Sequence, residues 1–303
     1  MHTHSHAHHE RGPDAGRAFA IGIALNVIFV VAEWVYGVLA NSLSLIADAT
    51  HNFSDVLGLV LAWGASALAR RPPSTRFTYG MRGSTVLAAL ANAMLLLVAT
   101  GGIAWEAILR FKHPGAVNEA TMIWVALLGV LINAGTAWLF MAQRDKDLNI
   151  RGAYLHMAAD AGVSLGVAVA GIGVLFTGWM WLDPVASLLI VTIVLIGTWG
   201  LLRDSVKLAL HAAPESVDPL DVRRYLAGLP GVAEVHDLHI WGMSTSETAL
   251  TVHLVMPGGH PGDEFFAHVV HQIEDRFRIG HATIQIETGT SSSTCVLAPE
   301  DVV

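Results

Sequence analysis

The sequence predicts an α-helical membrane protein of six transmembrane helices followed by a small cytoplasmic α+β domain. Three observations carry this. Apolar runs near 18–39, 43–68, 84–109, 121–141, 153–176 and 181–202 are each long enough to cross about 30 Å of hydrocarbon. Only 14% of the 303 residues are charged against 53% hydrophobic, and the mean hydropathy is +0.52, too apolar for an ordinary soluble chain. From about Ala212 the composition turns to that of a soluble domain. The net charge of −8 gives no basis for a nucleic-acid partner.

The chain begins with MHTHSHAHHERGPDAGRA, in which His2, His4, His6, His8 and His9 fall within nine residues. It has no apolar core of a signal peptide and reads as a His-rich cytoplasmic tail over 1–17, able to collect metal weakly. The membrane domain is expected over 18–205. Its first span holds one acid, Glu33, and its third holds Glu106 near the end. Asn26, Asn92 and Asn133 read as interhelical hydrogen-bonding groups.

The second span is different. SLSLIADATHNFSDVLGLVLAW carries Asp48, His51 and Asp55, and a charge near mid-membrane costs roughly 2.5–3.5 kcal/mol on insertion scales. His51 and Asp55 are four apart, so a helix places them on one face. The same HxxxD spacing returns in the fifth span as His156 and Asp160, within YLHMAADAGVSLGVAVAGIGVLF. Two such faces brought together offer two imidazoles and two carboxylates, a set suited to a divalent ion such as zinc. Asp48, three residues before His51, is expected to orient a ligand from behind rather than to bind.

Lysines and arginines set the orientation. With both termini cytoplasmic, the inner segments hold Arg11, Arg17, Arg70, Arg71, Arg76, Arg82, Arg144, Lys146, Arg151, Arg203 and Lys207, and the outer loops only Arg110 and Lys112.

The soluble domain is expected over 212–290. Residues 219–229 read as an amphipathic helix, 232–243 and 248–256 as strands, 262–277 as a second helix and 282–287 as a third strand. The order αββαβ suggests an open-faced sandwich. Residues 291–303 read as a flexible end. The lone cysteine, Cys295, excludes an intramolecular disulfide and a cysteine-based zinc site. His236, His239, His253, His268 and His271 are candidate ligands with Glu287.

The runs NSLSLIADATHNFSDVLGLVLAW, TYGMRGSTVLAALANAMLLL, HMAADAGVSLGV and VHDLHIW together resemble the cation diffusion facilitator family, in the cobalt-zinc-cadmium resistance branch. The resemblance runs from about Arg17 to Glu287. It implies six transmembrane helices, a metallochaperone-like ferredoxin-like cytoplasmic domain, a homodimer in the inner membrane of a bacterium, and metal export against protons by alternating access. It places the transport site on His51, Asp55, His156 and Asp160, and cytoplasmic metal ligands on His236, His253 and His268. Where some members carry His and Asp on the last strand, this chain has Gln285 and Glu287, which puts a full binuclear site in doubt. The 70–82 loop lacks the Asp and His of a further site. Arg82 matches a basic position used in a charge interlock with the partner subunit, for which Asp204 is the candidate acid.

The cargo expected from a His/Asp set is Zn2+, since harder ions prefer oxygen alone. Co2+, Cd2+, Ni2+ or Fe2+ are alternatives, as is a channel-like route. No HExxH motif is present and four protein ligands leave no open position, so an enzyme is not expected.

Overall fold

The structure, a computed structural model, describes residues 27–113, 115–141 and 148–289 together with Cys295 and Leu297. The His-rich tail and residues 18–26 of the first expected span lie outside the described residues.

Eight helices and three strands are described: α1 Val27–Leu39, α2 Leu43–Ala69, α3 Ser84–Lys112, α4 Glu119–Met141, α5 Leu148–Thr177, α6 Leu182–Ala209, α7 Pro219–Ala227, β1 Glu234–Gly242, β2 Thr248–Val255, α8 Asp263–Phe277 and β3 His281–Glu287. Among the described residues, α2 to α6 are the five helices long and apolar enough to cross a membrane, and α1 is shorter. A sixth span therefore depends on residues preceding Val27. Large apolar side chains such as Trp63, Trp105, Trp124, Trp138 and Trp199 stand exposed on these helices, as they must where the solvent is lipid.

The chain forms two compact units, one of residues up to Leu57 with Met94–Thr198, the other of Gly58–Ala93 with residues from Trp199 onward. The first has a core of Leu45, Leu96, Met122, Val167, Ile190 and Val194. Helix contact within it is close: a Cβ on Gly129 of α4 would lie 2.8 Å from the Phe29 ring and 2.9 Å from Ser164 Oγ. The turn from α1 to α2 is fastened by polar groups. Asp183, fully buried at the start of α6, accepts hydrogen bonds from the hydroxyls of Ser42 and Ser44 at 2.7 and 2.6 Å and from the backbone N–H groups of Leu43 and Ser44. A carboxylate at the first N–H groups of α2 satisfies donors that the helix itself leaves open. Arg110 donates to Asn41 O and Oδ1, at 2.6 and 2.8 Å. One of the two expected outer-loop cations thus has a structural partner.

The second unit contains the αββαβ order expected from the sequence. Asp218 caps α7 by accepting from Leu220 N–H, and Pro219 occupies the first turn. The sheet order is β1-β2-β3, with β1 and β2 antiparallel and β2 and β3 parallel, so α8 is the crossover. Val222, Leu226, Leu250, Val252, Leu254, Val269, Ile273 and Ile279 form its core. The β1–β2 register slips between His236 and His239, where Asp237 takes a left-handed φ of 49°. This bulge bends β1 and re-aims its neighbouring side chains.

Candidate metal centres

The two HxxxD faces of the sequence meet in the first unit. His51 and Asp55 come from α2, His156 and Asp160 from α5. His51 Nε2 lies 3.8 Å from Asp55 Oδ2 and 3.7 Å from Asp160 Oδ1. His156 Nε2 lies 3.2 Å from Asp55 Oδ2 and 3.6 Å from Asp160 Oδ2. Donors held about 2.0–2.1 Å from one ion at tetrahedral angles stand about 3.3 Å apart. The four His–Asp distances fall within about half an ångström of that, with Asp160 meeting His51 through Oδ1 and His156 through Oδ2. Among the described residues Asp55 Oδ2, Asp160 Oδ2 and His51 Nδ1 have no hydrogen-bond partner. Asp160 is buried, whereas the side chains of Asp55 and His156 are 35% and 43% exposed, so one flank of the set is open. Two carboxylates balance the charge of a dication, which matters in a low-dielectric setting.

Asp48 stands behind this set. It is fully buried and its two oxygens accept hydrogen bonds, Oδ1 from Asn52 at 3.3 Å and Oδ2 from Ser164 at 2.9 Å. It therefore ties α2 to α5 one turn from His51 on the first and from Asp160 on the second.

A second cluster occupies the soluble domain. His236 and His253 are paired across β1 and β2, with ring centroids 5.3 Å apart. Glu287 ends β3 opposite Val255, and its Oε1 lies 3.0 Å from His253 Nδ1 and 3.4 Å from His236 Nε2. Gln285 donates to the same oxygen at 3.2 Å. The fourth member is Cys295, whose Sγ lies 3.7 Å from His253 Nδ1. One ligand atom from each of His236, His253, Glu287 and Cys295 lies within 4.8 Å of every other. His236 is only 4% exposed, yet among the described residues neither of its ring nitrogens has a hydrogen-bond partner. Burial pushes the Glu287 carboxyl up, but the Cys295 thiol and the His236 and His253 imidazoles outweigh it and hold the group below its ordinary range.

Cys295 is not legible as a ligand in the sequence. The expectation that a lone cysteine excludes any cysteine-based zinc site is corrected by this geometry, because a single thiol can join a mixed His/Glu/Cys set. No CxxC spacing marks this cysteine, and only the fold carries it back to β2. His268 is exposed on α8 and lies outside the four-residue group. His239 pairs with Asp237 at 2.8 Å and His271 with Asp275 at 3.2 Å.

The two interlock candidates have partners within their own chain. Arg82 Nη1 meets Glu247 Oε1 at 2.6 Å, beside a hydrogen bond from Thr245 N–H to Thr85 Oγ1 at 3.1 Å. Asp204 meets Arg203 at 3.1 Å.

Apolar helices that gather two imidazoles and two carboxylates, joined to a soluble domain with its own ligand cluster, define a membrane protein that handles divalent cations. The chain belongs to the cation efflux, or cation diffusion facilitator, family. Residues 19–208 match the cation efflux transmembrane domain and residues 214–289 the cation efflux protein cytoplasmic domain. It is 38% identical over 283 residues to the cation efflux system protein CzcD of Alcaligenes sp. (strain CT14), covering 93% of this chain and 89% of that protein. It is 37% identical over 289 residues to the zinc transporter ZitB of Escherichia coli (strain K12), covering 94% and 91%. It is 34% identical over 265 residues to the cadmium, cobalt and zinc/H(+)-K(+) antiporter of Bacillus subtilis (strain 168), covering 86% and 85%. The metal-bound C-terminal domain of the CzcD transporter from Cupriavidus metallidurans shares 38% identity with this chain, covering 23% of it and 98% of that domain, with a TM-score of 0.21. These relatives are membrane transporters rather than enzymes, and metal-cation efflux is the activity of the family.

Proposed function

We propose that this protein exports Zn2+ from the bacterial cytoplasm in exchange for protons, by alternating access at His51, Asp55, His156 and Asp160. The observation that carries the reading is the convergence of two histidines and two aspartates from two helices, each imidazole Nε2 lying 3.2–3.8 Å from both carboxylates. A small tilt of α2 against α5 assembles or spreads them, which suits binding on one side and release on the other. His and Asp must lose protons to bind a metal, so metal and protons compete for one site. Imidazole, with a reference value near 6.5, exchanges its proton close to cellular pH.

The working unit is a homodimer in the inner membrane, with six spans over 18–205 and both termini cytoplasmic. The cytoplasmic domain, 212–290, dimerises and holds metal at His236, His253 and Glu287 with Cys295. Asp48 keeps the ligand helices in register. The names of ZitB, CzcD and the Bacillus antiporter support zinc, with cadmium and cobalt as the nearest competing cargoes.

The test is metal uptake by proteoliposomes of inside-out orientation, with and without an imposed pH gradient. The antiport reading expects uptake that saturates with zinc and collapses when the gradient is removed. Uptake that rises linearly with metal and ignores the gradient would replace the carrier by a channel.

A further inference from the structure

The bulge of β1 turns Asp237 toward His253. In a regular strand successive side chains alternate between faces, so His236 and Asp237 would point away from each other. Asp237 instead takes a left-handed φ of 49°, where the register slips between His236 and His239. Aspartate tolerates this conformation better than most residues. As a result both His236 and Asp237 reach His253 on the neighbouring strand. The His236 and His253 rings lie 5.3 Å apart, and Asp237 Oδ2 lies 3.3 Å from His253 Nε2. The other carboxylate oxygen, Oδ1, lies 2.8 Å from His239 Nε2. The side chains of Asp237 and His253 are only 10% and 12% exposed, so their contact is shielded from water.

The two nitrogens of His253 therefore have different surroundings. Nδ1 faces Glu287 Oε1 at 3.0 Å and the Cys295 thiol at 3.7 Å, while Nε2 faces Asp237. A neutral imidazole carries its proton on one nitrogen and offers a lone pair on the other. A carboxylate only accepts, so Asp237 selects the tautomer with the proton on Nε2 and leaves the Nδ1 lone pair aimed at the cluster. We propose that Asp237 is a positioning residue for the cytoplasmic cation set: it fixes the ring angle and tautomer of His253, and His239 steadies it from the other side. A divalent cation such as Zn2+ then meets an imidazole already turned toward it, with no ring rotation to pay on binding. His239, a candidate ligand in the sequence, acts at two removes from the cation. The inference deepens the reading of His236, His253, Glu287 and Cys295 as a cation site and rests on it.

The experiment titrates full-length purified protein with Co2+ and follows the thiolate-to-cobalt absorption band. Cys295 is the only cysteine of the chain, so the band reads the cytoplasmic set and is silent on the membrane set. Asp237→Gly removes the carboxylate and keeps the left-handed backbone accessible. It is expected to weaken cobalt binding about tenfold, with the band at saturating cobalt as tall as in wild type. In a His253→Ala background, where His236, Glu287 and Cys295 remain to bind more weakly, the same substitution is expected to change nothing further. A comparable loss in that background, or a band that stays low at saturation, would assign the effect to the packing of the bulge and overturn the proposal. Unchanged cobalt affinity in Asp237→Gly would overturn it as well and leave the four-ligand set standing. A wild-type protein without the band would remove the set itself, and the role of Asp237 with it.

Discussion

The two candidate metal clusters of this protein are built by opposite means. The membrane set takes two residues from each of two helices, at a spacing that one turn imposes, and contains two carboxylates. The soluble set takes one residue from each of three strands and one from the segment after them, and contains one carboxylate and one thiol. A helix pair can tilt as a unit and change every cross-helix distance together. A hydrogen-bonded sheet resists such motion, and its deeply buried His236 leaves little room for exchange. The first design suits a cation that must be let go, the second a cation that is kept.

The largest effect expected from this contrast is on transport. Asp55→Ala or Asp160→Ala removes half the negative charge that offsets a dication, and zinc flux in proteoliposomes should fall to the level of empty vesicles. Flux that survives both substitutions would reduce the paired HxxxD faces to packing. Next in size is Cys295→Ser, expected to weaken zinc retention by the cytoplasmic domain about tenfold, equal to ~1.4 kcal/mol, with flux at saturating zinc unchanged. Equilibrium dialysis against a zinc buffer reads the first quantity, and an unaltered affinity would exclude the thiol from the set.

A smaller change is expected in selectivity. His51→Asp makes the membrane set richer in oxygen and less particular, so the ratio of zinc to cadmium transport should drop several-fold; an unchanged ratio would detach selectivity from this imidazole. The smallest effect concerns acid stability. Because Glu287 is held below its ordinary range, its ionised form stabilises the folded domain. That contribution is complete above the usual glutamate value of about 4.3 and is lost as pH falls from there through the lowered folded value. Thermal unfolding of Glu287→Gln should show a shallower loss of stability across that acid window than wild type, and parallel curves would contradict the sign.

Much of this architecture is legible in the amino-acid sequence, for a physical reason. His51, Asp55, His156 and Asp160 announce themselves because charge is costly in an apolar helix and the i,i+4 spacing defines a face. The αββαβ order is equally plain, since strands of period two and helices of period 3.6 alternate between Pro219 and Glu287. What stays hidden depends on contacts distant in sequence. Asp183 serves the N-terminus of a helix that begins 140 residues earlier, and Cys295 reaches a histidine 42 residues before it. The bulge at Asp237, which shapes the surroundings of His236, has no glycine to mark it.

The most direct test of the division between a set that releases and a set that keeps is a paired measurement on Asp160→Asn. Zinc flux and the zinc retained after gel filtration would be determined on the same full-length preparation. Flux lost with zinc retained at the wild-type level is the predicted result. Flux preserved, or retained zinc lost together with flux, would contradict it.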